Sequence, residues 1–97
     1  MPQVTIILVG QNFNYEPGYL QVHAGNEVQF VVNQVQFFLI KFAYGTPFKD
    51  GKTQFSPSSY SGTIDTAAAH QIYHYQVVAV DNNGVHLDGG CPSLDVL

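Results

Sequence analysis

The chain predicts an all-β fold, a two-sheet sandwich of about seven or eight strands, and three observations carry that prediction. Apolar and polar residues alternate with a period of two in Tyr19 to His23, Glu27 to Asn33 and Gln71 to Val80. Turn signals recur between such segments at Pro17-Gly18, Ala24-Gly25-Asn26 and Asn82-Asn83-Gly84. The spacing between one turn and the next is short along most of the chain, as strands of a sandwich require.

Val4 to Val9 is a continuous run of mostly β-branched apolar residues and reads as the first strand, buried on both faces or packed as an apolar edge. Gln11 to Gly18 reads as an irregular connection ending in the Pro17-Gly18 turn. Tyr19 to His23 and Glu27 to Asn33 read as a hairpin with a shared core face of Leu20, Val22, Val28, Phe30 and Val32. Gln36 to Tyr44 carries Phe37, Phe38, Leu39, Ile40, Phe42 and Tyr44, and is expected to be the central strand. Gly45 to Tyr60 has neither period and reads as a long excursion held down by Phe48, Phe55 and Tyr60. Ser61 to Asp65 follows as a short polar strand, and Thr66 to Ala69 as a helical turn. In Gln71 to Val80 the alternation puts Tyr73, Tyr75, Val77 and Ala79 on one side and Ile72, His74, Gln76, Val78 and Val80 on the other. Asn82-Asn83-Gly84 is expected to form a type I′ hairpin turn. Val85 to Leu87 begins the return strand, Asp88 to Pro92 breaks it, and Leu94 to Leu97 closes the sheet.

The 97 residues read as one domain spanning 1–97, large enough to bury a single core. Charged residues are 10% of the chain against roughly 25% in an average soluble domain, and apolar residues are 45%. Order is expected, because there is enough apolar surface to offset its entropic cost. The formal net charge is -4, and the only cations besides histidine are Lys41, Lys49 and Lys52. Nucleic acid and anionic membrane surfaces, both of which recruit clustered Lys and Arg, are poor partners for such a chain. Membrane insertion is not expected, since no apolar run approaches the ~20 residues of a spanning helix. One cysteine, Cys91, rules out an internal disulfide and leaves the compartment open. The expectation is periplasmic or extracellular if an export signal has been removed, and cytoplasmic otherwise.

Phe13 to Pro17, then Leu20 to Phe30 and Asn33, resemble the proline turn, short strand, Gly-Asn turn and Asn-terminated strand of the cupredoxin family. Tyr73-His74-Tyr75 is similar to the aromatic-x-aromatic run before that family's copper-binding cysteine, and Gly89-Gly90 to Val96 to its glycine-rich approach to the last strand. The resemblance covers almost the whole chain and implies Greek-key connections. It also implies a place for each copper ligand, because a thiolate and two imidazoles hold copper in a trigonal site. The first histidine position falls within Gln36-Phe37-Phe38 and the cysteine position on Val77, while Val80 to Asn83 offers no second histidine and the only methionine is Met1. Type-1 copper is therefore not expected, and no cofactor is assigned.

His86 and Cys91, with His23, His74 or His70, form an alternative zinc or copper set at the same end of the sandwich. The opposing expectation is that the histidines are ordinary strand or turn residues and Cys91 a small buried filler. Ser56, Ser58, Ser59 and Ser61 stand in no nucleophile motif, and the acids fall at turns or strand ends, so no enzyme is predicted. Tyr15, Tyr19, Tyr44, Phe48, Phe55 and Tyr60 gather in or beside the two longest connections, where with the amides they offer a neutral binding surface. The plainer expectation is that these rings cap the open ends of the sandwich. The leading functional expectation is a non-catalytic binding or assembly module that takes a protein partner or self-associates as a homo-oligomer. A metal-binding protein and a carbohydrate-binding module are the alternatives.

Overall fold

In the computed structural model the described residues are 3–9, 12–16, 19–68, 70–88 and 92–97. The strands within Gln36 to Tyr44 and Gln71 to Val80 are shorter than the sequence pattern implies, but the architecture is all-β, as expected, with eleven strands among the described residues. They are β1 (Gln3–Val9), β2 (Asn12–Glu16), β3 (Tyr19–Val22), β4 (Glu27–Asn33), β5 (Phe37–Lys41), β6 (Gln54–Phe55), β7 (Ser61–Thr63), β8 (Ile72–His74), β9 (Gln76–Asp81), β10 (Gly84–Asp88) and β11 (Ser93–Val96).

One sheet has the order β2-β1-β4-β7, a second β10-β9-β5-β6 and a third β3-β11-β8. Only Tyr75 separates β8 from β9, so the third sheet continues the second along the chain. The first sheet faces this combined layer across one core, to which β1 and β4 send Val4, Ile6, Val28 and Phe30. Phe38, Ile40, Tyr73, Tyr75, Val77, Leu94 and Val96 meet them from the other side. The pairing is mixed. β1 runs parallel to β4 and antiparallel to β2, while β11 runs parallel to β3 and antiparallel to β8.

Tyr19 to Val22 and Glu27 to Asn33 are strands, but they do not pair as a hairpin. β3 joins β11, and β4 joins β1 and β7. The turn between them carries the chain from one layer to the other, fixed by Asn26 N donating to His23 O and Gly25 N donating to Ile64 O. Val22, Val28 and Phe30 are all buried, so the shared core face holds although the partner strands differ. Asn12–Glu16, read as an irregular connection, is a strand on the edge of the first sheet. The Pro17-Gly18 turn and Gly89-Gly90 lie outside the described residues, as does Ala69 of the expected helical turn. The hairpin after Asp81 forms, but its geometry is not type I′. Positive φ falls on Gly84 (118°) and on neither asparagine, and Asp81 Oδ1 accepts from Asn83 N at 2.8 Å to hold the turn.

The long excursion is tied down as anticipated by Phe48 and Phe55, both buried, whereas Tyr60 stays 45% exposed. Phe48 and Phe55 pack at 4.6 Å between ring centroids, and Phe55 reaches Phe30 at 4.8 Å. Gly62 on β7 makes room for this pair: a Cβ there would stand 2.8 Å from Phe48 Cδ1 and 3.1 Å from Phe55 Cε2. A Cβ essentially never comes within 3.0 Å of another heavy atom, and both rings are hemmed in by other rings. Gly62→Ala is therefore expected to destabilise the fold by about 1–3 kcal/mol through overpacking. Urea denaturation will show the loss as a lower midpoint at an unchanged slope.

Candidate functional site

Alternation along β9 and β5 sends two sets of side chains to opposite faces of the second sheet. Phe38 pairs with Ala79 and Ile40 with Val77, and all four are buried toward the core. Val77, where the family resemblance puts a thiolate, is hydrocarbon inside this packing, and of Gln36, Phe37 and Phe38, within which it puts an imidazole, only Phe38 is buried there. Phe37 turns the other way and is 47% exposed. At the adjacent end of the sandwich, Gln34, Val35, Gln36, Asp81, Asn82 and Asn83 surround an open hollow of about 300 Å³. Gln36 Nε2 donates to Asn82 Oδ1 at 2.5 Å across it, so the amides there are joined to each other.

The outward face of the same sheet is the more unusual one. Val85 lies beside Val80, which lies beside Phe37; Leu87 lies beside Val78, which lies beside Leu39. Two rows of three apolar side chains thus cross β10, β9 and β5 on the side away from the core. The next row, Gln76 beside Lys41 beside Gln54, is polar. Exposure rises toward β10, where Val85 is 66% and Leu87 73% exposed. Their neighbours Val78, Val80 and Leu39 are already half-covered. The reason is that β10 has β9 on one side and, among the described residues, no strand on the other.

No family model and no characterised protein matches the chain in sequence comparison. Function must therefore be argued from geometry.

The inward side of β10 is polar and fully engaged. His86 Nε2 stands 2.9 Å from Asp81 Oδ1, an ion pair when the imidazole is protonated. This hydrogen bond, with that from Asn83 N, holds the Asp81 carboxyl below its usual range. Tyr15 on β2 donates its phenol to Asp88 Oδ2, a clip between the edges of the two layers. Burial, then the hydrogen bond to Asp88, pushes the Tyr15 phenol well above its ordinary pKa. Tyr75 packs edge-on against Tyr15, and its buried hydroxyl has no hydrogen-bond partner among the described residues. Burial and the charge of Asp88 push that phenol up as well.

The histidines named as an alternative metal set are not gathered. His74 is level with Ser93 and Tyr19 in the third sheet, whereas His23 follows Val22 at the other end, level with the residue after Val96. Four residues of strand put them roughly 13 Å apart along the sheet alone. His86 sits in the second sheet with Asp81, and Cys91 lies outside the described residues. Among the described residues no three His, Cys, Asp or Glu side chains group as metal ligands. The aromatic set divides too, with one clear correction: Phe48 and Phe55 are core residues, at 2% and 0% exposure, and offer no surface. The excursion carries them because it needs apolar anchors. Tyr15 is half-buried on Asp88, Tyr19 is exposed and bonded to Asp95 at 2.5 Å, and Tyr44 and Tyr60 are exposed. Sequence reasoning placed Val78 and Val80 on the side opposite Tyr73, Tyr75, Val77 and Ala79, without assigning either side to the core, and did not find the stripe. The signal was there in β9, whose two faces are both apolar.

An alkaline titration checks the Tyr15 and Tyr75 environment. An unfolded phenol ionises near pH ~10, below the folded values of these two, so the stability they confer is complete under that pH and is lost as pH rises beyond it. Phenolate absorbance is expected to leave these two of the six tyrosines silent until the chain unfolds. Tyr15→Phe should cost about 1.5–3 kcal/mol by removing a hydrogen bond to a charged group, whereas Tyr75→Phe should cost less than about 1 kcal/mol because no bond is lost.

Proposed function

We propose that the chain is a copper-free, cupredoxin-like Greek-key sandwich that acts as a non-catalytic binding and assembly module for protein surfaces. The observation that carries the binding role is the apolar stripe of Phe37, Leu39, Val78, Val80, Val85 and Leu87 on the outside of the second sheet. A sheet face that meets only water usually alternates to polar residues on that side. Contiguous apolar patches rimmed by polar residues mark interaction sites, and here the rim is Gln76, Lys41 and Gln54 at one end and Gln36, Asn82 and Asn83 at the other. The absence of charge within the stripe matches the composition of interface cores, which are poor in Lys, Glu and Asp. The copper-free part is supported by Val77 being packed hydrocarbon at the thiolate position of the family resemblance, and by the span Gln36-Phe37-Phe38 holding no imidazole.

Two measurements test this. Copper added to metal-free protein should produce no intense charge-transfer band in the red; a blue protein would overturn the copper-free reading. A neutral solvatochromic dye such as Nile red should brighten on the native protein, and Val78→Ser/Leu87→Ser should abolish most of that signal with the far-ultraviolet circular dichroism unchanged. Equal brightening by both proteins would remove the stripe as the binding face.

A further inference from the structure

We infer that the open edge of β10 pairs antiparallel with β10 of a second copy of this chain about a two-fold axis through His86. The inference rests on the binding-module reading above and names its partner.

The direction of the backbone groups sets the argument. Val80 O accepts from Gln36 N, so the peptide groups of Val80 point toward β5. Groups of successive residues in a strand point to opposite sides, so those of Ala79 point toward β10 and engage His86, its register partner. Val85 and Leu87 consequently aim their N–H and C=O groups away from β9, at the edge where no described strand lies. A register centred on His86 sets Val85 opposite Leu87 of the second copy, and Leu87 opposite its Val85. All four outward-pointing donors and acceptors of each edge then find partners.

The side chains agree with that register. On the outer face the row Phe37, Val80, Val85 runs on into Leu87, Val78, Leu39 of the second copy, an apolar row crossing six strands. The two side chains that gain neighbours are Val85 and Leu87, the most exposed of the stripe at 66% and 73%. Strand addition covers that excess where it lies, at the edge; a partner laid flat on the face would leave the edge groups unpaired. Asp88 falls opposite Gly84, and the two His86 that face each other across the axis are each neutralised by their own Asp81 when protonated. β10 also carries none of the Lys, Pro or bulge devices that keep a solitary edge solitary. A second copy fits better than an arbitrary extended peptide because the strand is its own complement in both hydrogen bonds and side chains.

Five paired residues on each side bury far less than the ~800 Å² per partner of a permanent complex. The dimer is accordingly reversible, with its population rising over roughly 0.01–1 mM protein. Each copy carries a net charge of -4, so added salt should strengthen it.

Sedimentation velocity on the full chain across that range tests the proposal. The native chain should shift from monomer to dimer. Val85→Lys/Leu87→Lys sets lysine opposite lysine and should weaken the dimer about ten-fold or more. Val85→Glu/Leu87→Lys sets opposite charges together in this register alone and should retain it. Ile72→Ser, an exposed apolar residue on β8 in the third sheet, should leave it nearly unchanged. Circular dichroism and thermal melts confirm that each variant is folded, and the substituted sites are exposed. A strict monomer at the highest concentration overturns the second-copy proposal: if Nile red still reports the stripe, the binding-module reading stands, and if it does not, both fall. Loss of the dimer in the Glu/Lys variant as complete as in the Lys/Lys variant, or in Ile72→Ser, also overturns the proposal, since it would mean a different register or a contact through another surface.

Discussion

The contact on which the rest of the structure depends is the nest of rings formed by Phe30, Phe42, Phe48, Phe55 and Tyr75. Phe30 comes from the first sheet, Tyr75 from the junction of β8 and β9, Phe42 from just after β5, and Phe48 and Phe55 from the excursion. Ring centroids within the nest lie between 4.6 and 6.3 Å apart, mostly edge to face or tilted, the arrangement that the quadrupoles of aromatic rings favour. With no disulfide possible within the chain, this nest joins the two layers and fastens the one long irregular segment to both. It also explains Gly62, since the rings fill the space a side chain would take.

Much of this was legible in the sequence because strand alternation is a local property. Tyr73, Tyr75, Val77 and Ala79 are buried as the period of two requires, even though the strand breaks at Tyr75, since the face a residue points to survives a one-residue interruption in pairing. Pairing is a different matter. Tyr19 to Val22 and Glu27 to Asn33 show the pattern of a hairpin, and only the whole fold sends them to separate layers, through β11 and β1 as parallel partners. Parallel pairs join segments distant in sequence and have no turn to announce them. Asn12–Glu16 was missed for a related reason: Asn12, Asn14 and Glu16 are poor strand formers, and the strand exists because β1 offers it an edge.

The candidate site was legible in part. That no thiolate or imidazole stands at Val77 or within Gln36-Phe37-Phe38 follows from reading the residues in order, and the structure adds that Val77 and Phe38 face inward while Gln36 and Phe37 do not. Assigning Phe48 and Phe55 to a surface failed because composition cannot tell an aromatic that anchors a loop from one that the loop displays; the difference is whether the loop folds back over the core, and this one does through the bridge Phe48 to Ile64 and the pairing of Phe55 with Ile40. The outer stripe escaped notice because it is assembled from three strands. Each contributes two apolar residues that mean nothing singly, and registers between strands decide that they line up.

Those registers also separate what the fold needs from what it carries. The inward face of the second sheet is closed by Phe38, Ile40, Val77 and Ala79, and the hydrophobic stabilisation that positions β5 and β9 is supplied there. Nothing in that packing calls for hydrocarbon on the opposite face. The same sheet demonstrates as much one row away, where Gln76, Lys41 and Gln54 occupy equivalent outward positions without disturbing the strands. Polar residues would therefore serve equally well in the rows of Phe37 and Leu39. Their apolar character is confined to the part of the sheet that ends at β10, an edge among the described residues, and its exposure is greatest on that strand itself. A requirement of folding would distribute apolar side chains according to burial from the core; this distribution follows the open edge instead, which is where another strand would add.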